Sequence, residues 1–284
     1  RFRDWPFTVI TYQLQGQELS RRKQVQRDRD LKIATGRRGQ LCSGMGLGVL
    51  LVDDEYPGFP GDVRNPSGFP YPVQYEVVDG VDIKLLNYSG NDREQAFEPT
   101  LRAAQRLQRL GVRAIIGECG HFSLFQKRLA DAVQIPVFIS SLLQVSWAKQ
   151  VVGEDRMVGV VVSHTEPVTG AHLDAVGVVQ DDRVVIRGAR NEGKCPAFDT
   201  LWHADKRADP PRVVYVDAEA QFVKVCTDFA DEHRNMGAMV LECTGFPPFA
   251  RTVQRAIDMP VYSYTTLMDF AYSVAVHRDF YGHI

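Results

Sequence analysis

The chain contains one stretch twice, and that duplication limits its fold more than any other property. Laying Cys119 on Cys243 aligns Ala114-Ile115-Ile116 with Ala238-Met239-Val240, Glu118 with Glu242, and Phe125 with Phe249. The register continues through Ala132-Val133 against Ala256-Ile257 and Pro136-Val137 against Pro260-Val261. In each copy a short apolar run ends in Glu-Cys. An amphipathic segment follows, then a proline and a second apolar run that ends in small hydroxyl residues. Run length and periodicity read as strand, cysteine-bearing turn, helix, strand.

The flanking segments extend the pattern. Leu47 to Val52 is a continuous apolar run suited to a buried parallel strand, and Met157 to Val162 is its counterpart. The first copy predicts a strand within 75–86, a helix over 96–110 closed by Gly111, strand 112–117, helix 123–133 and strand 135–140. The second predicts strand 183–187, a helix over 218–236 stopped by Gly237, helix 249–257 and strand 259–263. Strands alternating with helices give a parallel α/β sheet, here made twice. The expected organisation is an N-terminal extension over 1–46, a first α/β half over 47–150 and a second over 151–265. A terminal helix within 266–284 is expected to pack back on the first half. Pro57 to Pro72, with five Pro and three Gly, is too irregular for an element and long enough to cover a site as a loop.

Composition excludes several classes. At 284 residues the chain can bury a full core, and a net charge of −2 predicts no nucleic-acid partner. Arg21 to Arg38 is locally basic but carries no interleaved aromatic residue. It reads as a solvated extension, or as an arm packing on a neighbouring subunit of a homo-oligomer. No apolar run reaches membrane-spanning length, and the first thirty residues lack a signal-peptide pattern, so a cytoplasmic protein without a membrane partner is expected. The five cysteines are scattered, with no C-x-x-C pair, which argues against a zinc site or disulfide framework. The remaining histidines His172, His203, His233, His277 and His283 show no metal-ligand spacing, so no metal and no cofactor is expected.

Ligands of open α/β sheets bind beyond the carboxyl ends of the strands. Both Glu-Cys turns sit at such ends, so two facing halves would bring Cys119 and Cys243 to one cleft. Each cysteine also precedes a helix, whose N-terminal amides favour a thiolate or a bound carboxylate. A thiolate is a usable base, and a thiol across the cleft a usable acid. With one on each face of a substrate carbon, a proton leaves one side and returns on the other. Cys195 and Cys226 read instead as small core residues, and Cys42 as incidental. The amides of Gly120, His121, Thr244 and Gly245 can hold a substrate carboxylate and its enolate-like form, helped by the hydroxyls of Ser140, Ser141 and Thr244. His164 stands at the matching strand tip of the second half as a weaker candidate.

Glu118-Cys119-Gly120 with Phe125-Gln126 and Pro136-Val137-Phe138-Ile139-Ser140-Ser141-Leu142 resembles the first cysteine motif of the aspartate/glutamate racemase superfamily. Leu241-Glu242-Cys243-Thr244-Gly245-Phe246-Pro247-Pro248-Phe249 resembles its second. The resemblance spans about Leu47 to Asp269. It implies two flavodoxin-like parallel-sheet halves related by pseudo-twofold symmetry, with the site between them. It also implies an acidic residue near the first cysteine, for which Asp53 is the candidate. Asp53-Asp54-Glu55-Tyr56-Pro57, Gly61-Asp62-Val63-Arg64-Asn65-Pro66 and Phe69-Pro70-Tyr71 resemble a subgroup that includes algal dimethylsulfoniopropionate lyases. Glutamate racemases follow their cysteines with Asn-Thr and Thr-His, whereas this chain has Gly120-His121 and Thr244-Gly245.

Removing a proton beside a carboxylate can end in several ways. Reprotonation on the other face gives a racemase or epimerase of a small carboxylate or amino acid derivative, the reading favoured here. Loss of a β-substituent gives a lyase, the next choice. Arylmalonate-type decarboxylases keep a single cysteine, at the second motif, and rank last. A two-lobed small-molecule binding protein without turnover is the alternative outside enzymes.

Overall fold

The computed structural model describes residues 41–277, apart from 43–44, 89, 169 and 204–205. The basic segment Arg21 to Arg38 and the end of the chain therefore lie outside the described residues. Leu41–Val276 forms one compact unit.

The duplication seen in the sequence is a duplication of sheets. The first half runs β1 (Leu47–Val52), β2 (Val73–Val78), α1 (Ile83–Tyr88), α2 (Phe97–Leu110), β3 (Ala114–Gly117), α3 (Gln126–Ala132), β4 (Val137–Phe138) and α4 (Leu143–Val151). The second runs β5 (Met157–Val162), α5 (Gly170–Ala175), β6 (Val184–Gly188), α6 (Pro196–Trp202), α7 (Tyr215–Glu232), β7 (Met236–Leu241), α8 (Ala250–Ile257), β8 (Val261–Tyr262) and α9 (Tyr264–Ala275). Each half makes a four-stranded sheet, ordered β2-β1-β3-β4 and β6-β5-β7-β8, with every pair parallel. That order is the flavodoxin-like one. The matched residues Glu118 and Glu242 both donate their amides to the neighbouring central strand, to Leu50 O and Val161 O, each at 2.8 Å.

Several boundaries differ from the sequence expectation. The strand expected within 75–86 is β2, followed by helix α1 over Ile83–Tyr88, and the strand expected over 259–263 is only β8, Val261–Tyr262. The strand expected over 135–140 is only β4, because the Gln126 side chain takes the place of a further strand. Its amide nitrogen donates to Val137 O at 2.9 Å, and its oxygen accepts from Ile139 N at 3.1 Å. The first cysteine is followed by a 3-10 turn, Gly120–Phe125, before α3 begins. Helix α7 stops at Glu232, since Met236 already belongs to β7.

The two sheets exchange helices. α9 lays Tyr264, Leu267, Met268 and Ala271 on Leu47, Val49, Ala114 and Ile116 of the first sheet. α4 places Val145 and Ala148 against Val158, Val160, Val162, Ala238 and Val240 of the second. α9 starts from a capping box, in which Ser263 and Thr266 satisfy each other's backbone amides. Each large apolar side chain buried this way contributes roughly 1.5–3 kcal/mol. Among the described residues, no helix is long and apolar enough to cross a membrane.

Candidate active site

Cys119 leaves β3 in extended conformation, and Cys243 leaves β7. Both line one small cavity together with Tyr56, Asn87, Trp202 and Thr244. Its volume is about 40 Å³, room for a water molecule and little more. A substrate must therefore displace part of the wall, and the irregular loop between β1 and β2 supplies Tyr56 to that wall.

The turns that follow the cysteines aim their amides at the sulfurs themselves. His121 and Phe122 donate toward Cys119, and Gly245 donates toward Cys243. Burial nonetheless pushes both thiols well above the usual range, and the Glu242 carboxyl raises them further. At this degree of burial both are thiols.

Behind Tyr56 lies a buried ion pair. Glu118 Oε1 accepts from Arg64 Nε at 3.1 Å, Arg64 Nη2 at 3.0 Å and Tyr56 OH at 2.7 Å, while Oε2 accepts from Val52 N at 2.9 Å. Burial raises the Glu118 carboxyl, against the pull of Arg64, Tyr56 and Val52. Four donors on two oxygens fit the ionised form, which only accepts. The Arg64 guanidinium also lies 3.7 Å from the Tyr56 ring centre. Asp62, 2 % exposed, is pushed up to about 8 by burial and then by Glu118.

Glu242 occupies the matching position of the second half with different company. It is 3 % exposed, and burial pushes it up to about 7 against one amide donor, Ser163. Its carboxylate reaches the first half so closely that a Cβ on Gly120 would overlap it. Only glycine fits at that position.

The structure brings Cys119, Cys243, Gly120, His121 and Thr244 to the same cavity. Gly245 lies behind it, flush against the Trp202 ring. Ser140 and Ser141 are buried but do not line the cavity. Ser141 donates to Leu241 O at 2.9 Å and so braces the end of β7. Asp53 also lies outside the cavity. It accepts from Gly80 N at 3.0 Å and faces a more open cleft of about 760 Å³ with Lys84 and Arg207. His121 is buried, its Nδ1 3.1 Å from His172 Nε2, while burial, His172 and Arg93 hold it well below the usual histidine range. His164 is half-buried and accepts the Glu166 amide at 3.2 Å. Sequence reasoning assigned no role to Tyr56, Arg64, Trp202 or the two glutamates. For Glu118 and Glu242 the signal was present, since they are identical residues at matched positions of the repeat. Among the described residues, no group of three His, Cys, Asp or Glu side chains is placed to hold a metal ion.

No known family profile matches the chain. It is 31% identical over 228 residues to dimethylsulfoniopropionate lyase 3 of Emiliania huxleyi, which covers 78% of this chain and 57% of that protein. It is 28% identical over 232 residues to the dimethylsulfoniopropionate lyase of Durusdinium sp. clade D, covering 79% of this chain and 73% of that one. A sulfate-associated mutant of arylmalonate decarboxylase superposes with a TM-score of 0.51 at 15% identity, over 84% of this chain and 98% of that one. Allantoin racemase from Pseudomonas fluorescens gives the same TM-score and identity, over 80% and 90%. The chain therefore has the two-sheet α/β fold of these structures. The curated proteins it resembles in sequence are lyases, while proteins of the same fold include a racemase and a decarboxylase. The chain spans little more than half the length of the Emiliania relative.

Proposed function

We propose that this chain is a lyase that eliminates a neutral sulfide from a β-sulfonio carboxylate. The observation that carries the reading is the aromatic corner in the cysteine cavity. The Tyr56 and Trp202 rings stand at 86° with centroids 5.9 Å apart, beside the carboxyls of Glu118 and Glu242. Aromatic faces next to buried carboxyls suit an onium group that has no hydrogen to donate. The curated relatives, all dimethylsulfoniopropionate lyases, support the same class.

In this reading a cysteine thiolate removes the proton α to the carboxylate. The electrons form the Cα–Cβ double bond, the Cβ–S bond breaks, and its pair leaves on sulfur. The products are an acrylate, a neutral sulfide and one proton. The substrate's positive charge also opposes the burial that keeps the thiols protonated. Arg93 stands beside Cys119 and His121, and its Nε is buried without a hydrogen-bond partner among the described residues. It is a cation available to the substrate carboxylate.

A racemase or epimerase is the second reading, favoured by the presence of both cysteines on one cavity. Incubation with dimethylsulfoniopropionate and a panel of amino acids in D₂O, followed by NMR, separates the two. The expected result is acrylate and dimethyl sulfide from the wild type, and neither from Cys119→Ser. Inverted, α-deuterated amino acid with no acrylate would replace the lyase by the racemase.

A further inference from the structure

The two glutamates that precede the cysteines are equivalent in sequence and unlike in surroundings. Glu118 is saturated by Arg64, Tyr56 and Val52. Glu242 is faced by Cys119 from the turn after β3, by Cys243 from its own strand end, by Tyr264 from α9, and by the Ser163 amide after β5. None of those groups is a cation. Glu242 thus lies in the wall of the thiol cavity with its carboxyl against the Gly120 backbone, one residue from Cys119 and on the opposite lobe. When one fold sets two like carboxyls in environments that push their proton affinities apart, the pair divides into a fixed charge and a proton carrier.

We propose that Glu242 is the proton partner of Cys119, accepting the thiol proton so that Cys119 becomes the thiolate base. In that step the S–H bond breaks, an O–H bond forms on the Glu242 carboxylate, and the sulfur keeps the electron pair. The buried pair carries one negative charge before and after. Ionising Cys119 while Glu242 stayed charged would instead place two anions side by side in a buried cavity, the costlier arrangement. After elimination Cys119 holds the substrate's α-proton and Glu242 the former thiol proton, and the resting site is restored when the Glu242 carboxyl releases its proton to water. The inference rests on the lyase reading for its reaction, but its thiol chemistry is independent of any substrate. Burial leaves Glu242 titrating near neutrality, as the role requires.

The test is Glu242→Gln, which keeps the shape and removes the exchangeable proton, read by two assays on the full chain. In the first, iodoacetamide labelling of Cys119 is followed by mass spectrometry against pH. With no carboxylate to take the proton, the labelling step near pH 7 should disappear and the remaining inflection, set by burial, should lie at higher pH. In the second, the rate of dimethyl sulfide release should fall about 10²-fold or more, the usual scale of a lost acid–base group. The acid limb near pH 7 should vanish. The two effects run together, since a thiol that ionises less readily accompanies a slower enzyme. A glutamate that only raised the thiols would give a faster enzyme at neutral pH when removed, and that result overturns the proposal. An unmoved labelling inflection overturns it too, whether or not the wild type releases sulfide. If Glu242→Gln fails to fold, Glu242→Asp should retain an acid limb. A wild type with no limb or labelling inflection near pH 7 refutes the proposal without any variant.

Discussion

Replacing Trp202 by leucine tests the onium site directly. The indole is 7 % exposed and stands against Tyr56 at 5.9 Å, Phe198 at 4.8 Å and Phe246 at 6.3 Å between centroids. A desolvated cation over an aromatic face gains about 2 kcal/mol. At about 1.4 kcal/mol per decade, losing that contact weakens binding roughly 30-fold. The same change also opens space in a packed aromatic cluster, a loss that any ligand of similar shape would share. Dissociation constants should therefore be compared for dimethylsulfoniopropionate and for its neutral carbon isostere, 4-methylpentanoate. Titration calorimetry in a Cys119→Ser background prevents turnover. The preference for the sulfonium should drop about 30-fold in Trp202→Leu, with the isostere changed far less. If the preference survives the substitution, or the intact protein has none, the aromatic corner does not read the cation and the argument from it fails.

Arg64→Met should cost about 3–5 kcal/mol in chemical denaturation, because it leaves Glu118 buried without its cation. Stability within 1 kcal/mol of wild type would mean that the pair is not desolvated as described. The buried His121 predicts a pH dependence of known sign. Its proton affinity is held below that of the unfolded chain, so its contribution is complete above about pH 6.5 and is lost as pH falls below that value. The melting temperature should fall between pH 7 and 5, and less steeply in His121→Gln. Parallel curves would assign the acid loss to other groups.

The fold was legible because it depends on local pattern repeated at a distance. The runs Leu47–Val52 and Met157–Val162 are apolar on both faces, as a central parallel strand must be. The cysteines were legible for the same reason, being paired by the repeat. The partners that distinguish one half from the other were not. Arg64 and Tyr56 come from a loop without periodicity, and the residue they hold, Glu118, is more than fifty positions away. His121 meets His172 across a similar separation, which no spacing rule encodes. Asp53 illustrates the limit of reading a strand tip. Successive side chains point to opposite faces, so Val52 lines the cysteine cavity while Asp53 turns away to Gly80.

The traded helices have a consequence for how this architecture comes apart. Cut between α4 and β5, either piece would hold a strand row stripped of its roof and a greasy helix with nowhere to lie. Neither fragment would be soluble alone, yet mixing the two supplies what each lacks. A single ancestral copy of this layout would face the same shortage, which a twofold pair of identical chains relieves by swapping.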